Sequence, residues 1–444
     1  MNSEQQYIDF FQENKEKISA NCSSQLNAYR EAAFEAFQRL GFPAYQSEDF
    51  RHTNIPELLS PDFGFYLDNS KRDADLFKRF RCNVSNLFPH THFILNGHFH
   101  KGEGQHPLPS GVFSGSLNTF AQQYPEVFAQ YYNQQASKKE DGLTAFNTLL
   151  LQDGYVLYVP QNVVVENPVQ ITNISNGAIN SLANRRMLII LEKGAQAKIM
   201  VCDHTNSGNT QFANVQVNEI YVGKNAALDY YDLEESTPET TRLSSCFVQQ
   251  AANSNVVINN ITLSNGTTRN SYIVDLEGEN AEIHLLGMAI ADKKEKIDNY
   301  TAINHKVPHC RSNELFKYVL EGESVGAFSG RIVVSPDAQK TEAYQNNRNL
   351  CVGNNCRMFS KPQLEIYADD VKCSHGMTTG QLDDNALFYM RSRGIPENEA
   401  RYLLKLAFTM DVLDGIRLDG LQDRLKLLVE KRFRGELVKC RGCI

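Results

Sequence analysis

Four times in the middle of the chain an apolar run stops at a tight corner and a second apolar run begins, and this repeat limits the fold more than any other feature. The corners read Gly194-Ala-Gln-Ala, Gly223-Lys-Asn-Ala, Ala251-Ala-Asn-Ser and Gly278-Glu-Asn-Ala, so their first residues stand 29, 28 and 27 apart. The runs before them include Leu188-Ile-Ile-Leu, Ile220-Tyr-Val, Phe247-Val and Tyr272-Ile-Val. Those after them include Ile199-Met-Val, Leu228-Asp-Tyr-Tyr, Val256-Val-Ile and Ile283-His-Leu-Leu. A period of this size marks stacked architectures, because one rung cannot bury its apolar face alone and a stack can. A small first residue lets the chain turn without a Cβ clash, and an Asn or Gln hydrogen-bonds the corner or its neighbour in the next rung. The expected fold is mainly β, a right-handed parallel β-helix (a β-solenoid) flanked by helical domains. A β-sandwich with coincidental spacing competes, and four corners at near-equal intervals favour the solenoid.

The organisation expected is an N-terminal, mainly helical domain over 1–140, the β-helix core over 141–380, and a C-terminal helical domain over 381–444. In the first, Leu26, Tyr29, Ala33, Phe37 and Leu40 recur at helical spacing until Gly41 and Pro43 stop the helix, and Phe10, Phe11 and Ile18 mark an earlier one. A strand-like piece covers His92 to Phe99, and a helix over Ser116 to Tyr132 is interrupted at Pro125. Strand signals stand at Tyr155 to Val159, Met187 to Leu191, Glu219 to Val222 and Val256 to Leu263. In the tail, Ala400, Leu403, Leu404, Ala407 and Phe408 form one apolar helical face, and Leu418, Leu421, Leu425 and Leu428 a second. Pro396 fits the helix start, with Glu397 and Glu399 in the first turn where the dipole favours them. Two such helices would cap the solenoid's open end or dock a partner, and the pattern alone favours capping.

Composition excludes several functions. With 444 residues, 41% hydrophobic and 22% charged, the chain can bury two or three cores without metal or disulfide staples. Its 44 basic and 52 acidic residues leave a formal charge of −8, a poor basis for nucleic-acid binding. Lys426, Lys431, Arg432, Arg434, Lys439 and Arg441 crowd the C-terminus, where a solvated helix face accounts for them. The opening residues lack the basic-then-apolar pattern of a signal peptide, and no apolar run approaches bilayer length. The expectation is a cytoplasmic protein with no membrane partner, whose ten cysteines are thiols.

Several groups could carry chemistry. Cys373 and His375, two apart, share one face if they lie on a strand, and a thiolate and an imidazole so placed can both hold iron. Two ligands do not close a cluster site, which needs about four. Cys440 and Cys443 form a Cys-x-x-Cys pair in the tail, a weak metal or redox signal without a second pair. Cys351 and Cys356 read as corner residues. His305, His309 and Cys310 read as a polar ladder along the solenoid. His90, His92, His98 and His100 read as solvent-facing strand-edge residues. No Gly-x-x-x-x-Gly-Lys-Ser/Thr loop and no Gly-x-Ser-x-Gly elbow occurs, so this chain is not expected to bind nucleotide itself. A polysaccharide-active β-helix enzyme would need paired carboxylates; Asp369, Asp370, Asp383 and Asp384 are the nearest candidates and suit turns better.

Four blocks of sequence carry a resemblance. Residues 365–400, EIYADDVKCSHGMTTGQLDDNALFYMRSRGIPENEA, form the most specific one. Residues 298–332 (DNYTAINHKVPHCRSNELFKYVLEGESVGAFSGRI), 145–171 (AFNTLLLQDGYVLYVPQNVVVENPVQI) and 47–55 (SEDFRHTNI) are the others. Together they resemble the SufB/SufD family of the Suf iron–sulfur cluster assembly system. Lys372-Cys373-Ser-His375-Gly resembles the SufD form, where SufB-like chains usually carry an EHEATTS-type segment. The resemblance implies a non-enzymatic scaffold in a complex with SufB and the ATPase SufC. It implies a transient iron–sulfur cluster at the SufB–SufD interface, His375 facing a SufB cysteine there, and SufC docking on the helix bearing Ala400, Leu403, Leu404, Ala407 and Phe408. It leaves Cys373 open between a ligand and a buried small residue, and assigns no role to Cys440 and Cys443. An isolated chain would pair as a homodimer, because the SufB-facing surface would otherwise stay exposed. A SufB-like role, with this chain taking sulfur on its own cysteine, is the alternative.

Overall fold

The computed structural model describes residues 3–45, 47–68, 73–81, 88–102, 106–206 and 209–436. The N-terminal region runs α1 (Ser3–Ala20), α2 (Ser24–Asn27), α3 (Arg30–Leu40), α4 (Ile55–Leu58), α5 (Ala74–Phe80), β1 (His90–Leu95), β2 (His98–Lys101), β3 (Phe113–Ser116), α6 (Leu117–Gln123), α7 (Pro125–Tyr131) and α8 (Gly142–Leu150). Sixteen strands follow: β4 (Tyr155–Val159), β5 (Val169–Ser175), β6 (Ser181–Leu191), β7 (Gln196–Thr205), β8 (Phe212–Val222), β9 (Ala227–Glu235), β10 (Thr240–Gln250), β11 (Asn255–Ser264), β12 (Thr267–Leu276), β13 (Glu282–Ala291), β14 (Lys296–His305), β15 (Arg311–Glu321), β16 (Val325–Val334), β17 (Glu342–Val352), β18 (Arg357–Ile366) and β19 (Lys372–Gly380). Three helices close the chain: α9 (Asp384–Ser392), α10 (Glu397–Leu413) and α11 (Asp419–Phe433).

From β4 onward each strand pairs in parallel with the strand two places along, so odd and even strands build two facing sheets. This is a parallel β-solenoid of about eight turns. The fold is mainly β with helices at both termini, as the repeat implied. Two elements differ from the sequence reading. The piece at His92 to Phe99 is a hairpin, β1 and β2 pairing antiparallel around Asn96-Gly97, both with positive φ. An Asn-Gly pair between apolar residues is a strong hairpin signal.

The second difference is the phase of the repeat. Asn162, Gly194, Asn225, Asn253, Asn280, His309 and Lys340 all adopt φ between 57° and 69° at successive corners. Gly194 is therefore the counterpart of Asn225 rather than of Gly223, and from Gly194 on the spacings are 31, 28, 27, 29 and 31. The register agrees, with Leu191 opposite Val222 and Gln196 opposite Ala227. The left-handed corner residue is thus mostly Asn, which reaches that region at lower cost than other side chains. Gly223 is small for another reason: a Cβ there would sit 2.8 Å from the Leu191 carbonyl oxygen of the rung before.

The interior is divided. Against the Asn corners it is apolar, built from Ile199, Tyr230, Ile258, Leu285, Ile303 and Ile332 among others. Toward the other corners it is charged: Arg242 forks onto Asp232 at 2.9 and 2.7 Å, and Arg185 reaches Asp203 at 3.0 Å. Helices cover the outer faces. The Phe11, Phe37 and Phe146 cluster from α1, α3 and α8 packs on Leu182, Val215 and Leu243 of the even sheet. Leu413 at the end of α10, with Leu421, Leu425 and Leu428 of α11, packs on Met200, Tyr231, Ile261 and Met288 of the odd sheet. The C-terminal helices therefore do not cap the solenoid, contrary to the capping expected. The outward apolar residues of β7 to β13 offer their leucines a larger dry surface than a strand edge does.

Candidate functional site: the open end of the solenoid

Among the described residues no strand lies beyond the last rung. β19 ends the odd sheet and β18 the even one, and Phe359, Ile366, Tyr367 and Met377 on and between them are exposed. An edge of this length presents a row of unpaired backbone groups, a template for another chain. A cleft of about 530 Å³ runs over β18, lined by Met358, Ser360, Met377 and Thr379 from the rung and by Asp49, Arg51 and His52 from the N-terminal region.

The segment at 47–55 is clamped beside this end. Thr53 Oγ1 donates to Asp298 at 2.5 Å, and Arg269 bridges Asp298 and the Asp49 carbonyl, both at 2.5 Å. His52 stacks on Phe359 at 4.5 Å, and Lys361 pairs with Glu48 at 2.7 Å.

Cys373 and His375 lie on β19, as the alternation required, and share its inward face. Cys373 is half-buried against the end of the apolar core, and burial pushes its thiol pKa up. His375 is exposed, and its imidazole makes no hydrogen bond to any described residue. It completes an inward column running His90, Val169, Ile199, Tyr230, Ile258, Leu285, Glu314, Gln345, His375 through consecutive rungs. The column is apolar in the middle and turns polar over its last three members. Gln345 Nε2 donates to Glu314 Oε2 at 2.7 Å, while Gln345 Oε1 is buried with no described partner, directly below His375. Burial pushes the Glu314 carboxyl up to about 7, against the bond from Gln345, which pulls it down. Sequence reasoning missed this support. Its only signal was two polar residues, Glu314 and Gln345, at the register of an apolar ladder.

Other sequence candidates fall elsewhere. His305 is buried at the end of β14, 2.9 Å from Ser312 Oγ, and burial lowers its pKa to about 4. His309 is an exposed corner residue and Cys310 is buried, so the three do not converge. His90, His92 and His98 are buried and His100 half-buried, which corrects the solvent-facing expectation. The hairpin tucks them under the N-terminal region, where burial lowers His92 to about 3. Cys351 is the next-to-last residue of β17 and Cys356 stands just before β18. Asp383 caps α9, accepting from the Asn385 and Ala386 amides, and Asp370 pairs with Lys340. Arg432 pairs with Asp292 and Glu295, and Arg434 with Glu399. Cys440, Cys443, Lys439 and Arg441 lie outside the described residues. Among the described residues no three His, Cys, Asp or Glu groups converge as metal ligands. No helix among them is long and apolar enough to cross a membrane.

On α10, Ala400 is buried, Leu403, Leu404 and Phe408 are half-buried, and Ala407 is exposed. Val412 and Leu413 pack on the solenoid, Lys405 reaches Glu321 at 2.6 Å, and Phe408 meets it through Lys317, whose Nζ lies 4.9 Å from the ring. Phe388 and Tyr389 on α9 are the most exposed aromatics of the C-terminal region.

Comparison with known proteins matches almost the whole chain. The family model described as the SUF system FeS cluster assembly SufBD core domain covers residues 173–408, and that of the SufBD protein N-terminal region covers 1–171. A SufBD family iron–sulfur cluster assembly protein of Synechocystis is 28% identical over 94% of this chain and 93% of its own length. The iron–sulfur cluster assembly protein SufD of Escherichia coli is 30% identical over 60% of this chain and 64% of its own. SufD of Bacillus subtilis is 24% identical over 76% of this chain and 77% of its own.

Proposed function

The chain belongs to the SufBD family of SUF-system iron–sulfur cluster assembly proteins, and we propose that it serves there as a non-catalytic scaffold subunit of the SufD type. Its partners in this reading are a SufB chain at the open end of the solenoid and the ATPase SufC on the C-terminal helices. The observation that carries the reading is the uncovered last rung. Two long edge strands, exposed apolar residues and an inward column ending in an available imidazole meet at one surface. The cluster is cargo here. His375 would supply one ligand, and the shortfall against about four ligands would be met from the partner chain. Gln345 and Glu314 hold the floor beneath it.

The anchoring of the helices bears on how ATP turnover would reach that surface. Lys317 pairs with Asp411 at 2.5 Å and Arg432 with Asp292 and Glu295 at 2.9 and 2.8 Å, on top of the leucine contacts. In this reading α10 and α11 move with the solenoid as one body, so a SufC displacement pulls on the open end. α9, with Leu387 its one buried residue and Phe388 and Tyr389 exposed, extends the docking surface beyond the α10 face.

The SufB-like alternative needs a thiol that becomes a thiolate readily. Burial raises the thiol pKa of Cys22, Cys202, Cys246, Cys310, Cys351 and Cys373, which disfavours these six as sulfur acceptors. Of the four acids the polysaccharide reading named, Asp383 caps α9 and Asp370 pairs with Lys340.

The test is anaerobic cluster assembly on a co-purified complex of this chain with SufB and SufC, comparing His375→Ala with the parent. Iron, sulfide and visible absorption should fall several-fold while the complex elutes intact. Failure of this chain to co-purify with either partner would sink the scaffold reading, and unchanged assembly would remove His375 from it.

A further inference from the structure

The corner before β18 carries two thiols that neither the fold nor the proposed scaffold role requires. Cys351 stands opposite Leu320 of the preceding rung, and Arg357 opposite Val325, so this corner is one residue longer than the one beneath it. The extra length is exposed: Gly353, Asn354 and Asn355 face solvent, with Gly353 at φ 133°. Cys351 and Cys356 flank it, both half-buried against the end of the apolar core. Cys356 Sγ donates to the Gly353 carbonyl at 3.6 Å, and Cys356 is near enough to add to the upward push that burial gives the Cys351 thiol. No third His, Cys, Asp or Glu among the described residues joins them. Two thiols without further ligands do not suit zinc or an iron–sulfur centre, which take about four. They do suit a bond to each other.

We propose that Cys351 and Cys356 are a disulfide-forming pair, an oxidative modification site that closes the corner between β17 and β18. The oxidant is a low-molecular-weight disulfide. Cys356, beside the exposed turn, releases its proton to solvent and its sulfur attacks one sulfur of the oxidant. The oxidant's S–S bond breaks, and the departing thiolate takes up a proton. Cys351 then gives up its own proton and displaces the second half of the oxidant. One protein disulfide and two small thiols result, and the two electrons lost by the pair are those the oxidant gains. Burial and the neighbouring Cys356 push the Cys351 thiol up to about 11; capping Cys356 removes the second of these and not the first, and Cys351 acts in the second step, where the attack is intramolecular. Because β17 and β18 belong to opposite sheets, the bond ties the two sheets together one corner from the open edge.

The experiment equilibrates the full chain in reduced and oxidised glutathione mixtures under argon, alkylates remaining thiols, and digests with trypsin. Both cysteines fall on one peptide, residues 349–357, between Arg348 and Arg357. The doubly alkylated peptide should give way in a single step to an unlabelled one about 2 Da lighter than its dithiol form, the two hydrogens lost. Cys351→Ser and Cys356→Ser should each abolish that species and leave a glutathione adduct on the remaining thiol, whereas Cys373→Ser should keep it. A parent peptide that retains two labels in every mixture, or carries glutathione on both cysteines without the internal bond, would overturn the proposal.

Discussion

At the entry end the two sheets finish in β2 and β3, strands of four residues, each antiparallel to its neighbour; at the exit end they finish in β19 and β18, strands of nine and ten residues with no further strand among the described residues paired to them. Helices α6 and α7 add Leu117, Phe120 and Phe128 to an apolar cluster over the entry rungs, and no comparable cluster of described residues covers the exit. The same inward column shows the contrast: it begins with His90, which is buried, and ends with His375, which is exposed. Short, reversed and covered edges stop strand addition, whereas long parallel edges invite it. One end of the repeat is built as a terminus, and the other is left open where the partner interface is proposed.

The two ends also treat buried charge differently, and this is where the comparison can be broken. Near the entry, Arg186 is fully buried, pairs with Glu219 at 2.7 Å and lies over the Tyr132 ring at 4.8 Å. Arg186→Ala would strand Glu219 as an unpaired buried charge and should cost about 3–5 kcal/mol in denaturant unfolding. A loss under about 1 kcal/mol would mean that the entry end is not anchored this way.

Toward the exit, Glu314 is buried with no described cation beside it. Its carboxyl holds its proton more tightly when folded, near 7 against an ordinary 4.5. Its stabilising contribution is therefore complete below about pH 4.5 and is lost as pH rises through about 7. Glu314→Gln mimics the protonated form. It should match the parent near pH 4 and exceed it by up to about 3 kcal/mol above pH 8. Chemical denaturation at both pH values checks this, and a difference independent of pH would refute the sign.

The smallest effect on stability is expected at the exposed edge. Met377→Lys should change unfolding by less than about 0.5 kcal/mol, because the side chain is already in water. Its effect should appear in association instead, with binding to the partner chain, or self-association of the isolated chain, weakened about tenfold or more. Sedimentation at several concentrations would decide it. Unaltered association would move the interface away from β19.

Much of this architecture was legible in the chain. The repeat, the break at Pro125, the strand at Tyr155 to Val159 and the shared face of Cys373 and His375 are local. Each depends on a turn requirement, a ring that forbids helix or the alternation of a strand, and so survives reading one residue at a time. The phase of the first corner was not legible, because Gly194 and Gly223 look alike while one needs a left-handed φ and the other needs room beside Leu191.

Tertiary structure alone decided what each apolar face would cover. The leucines of α11 read the same whether they close the end of a solenoid or lie along its side, since periodicity records that a face is apolar and not which surface it meets. Strands buried on both faces hide the alternation that would have marked the outer one, so the dry strip on β7 to β13 could not be read in advance. By settling on that strip, the helices left the last rung open. That there is a solenoid, and that Cys373 and His375 share a strand face, follows from local pattern; the side-on packing of the helices is what leaves His375, on the inward face of the last rung, open to solvent.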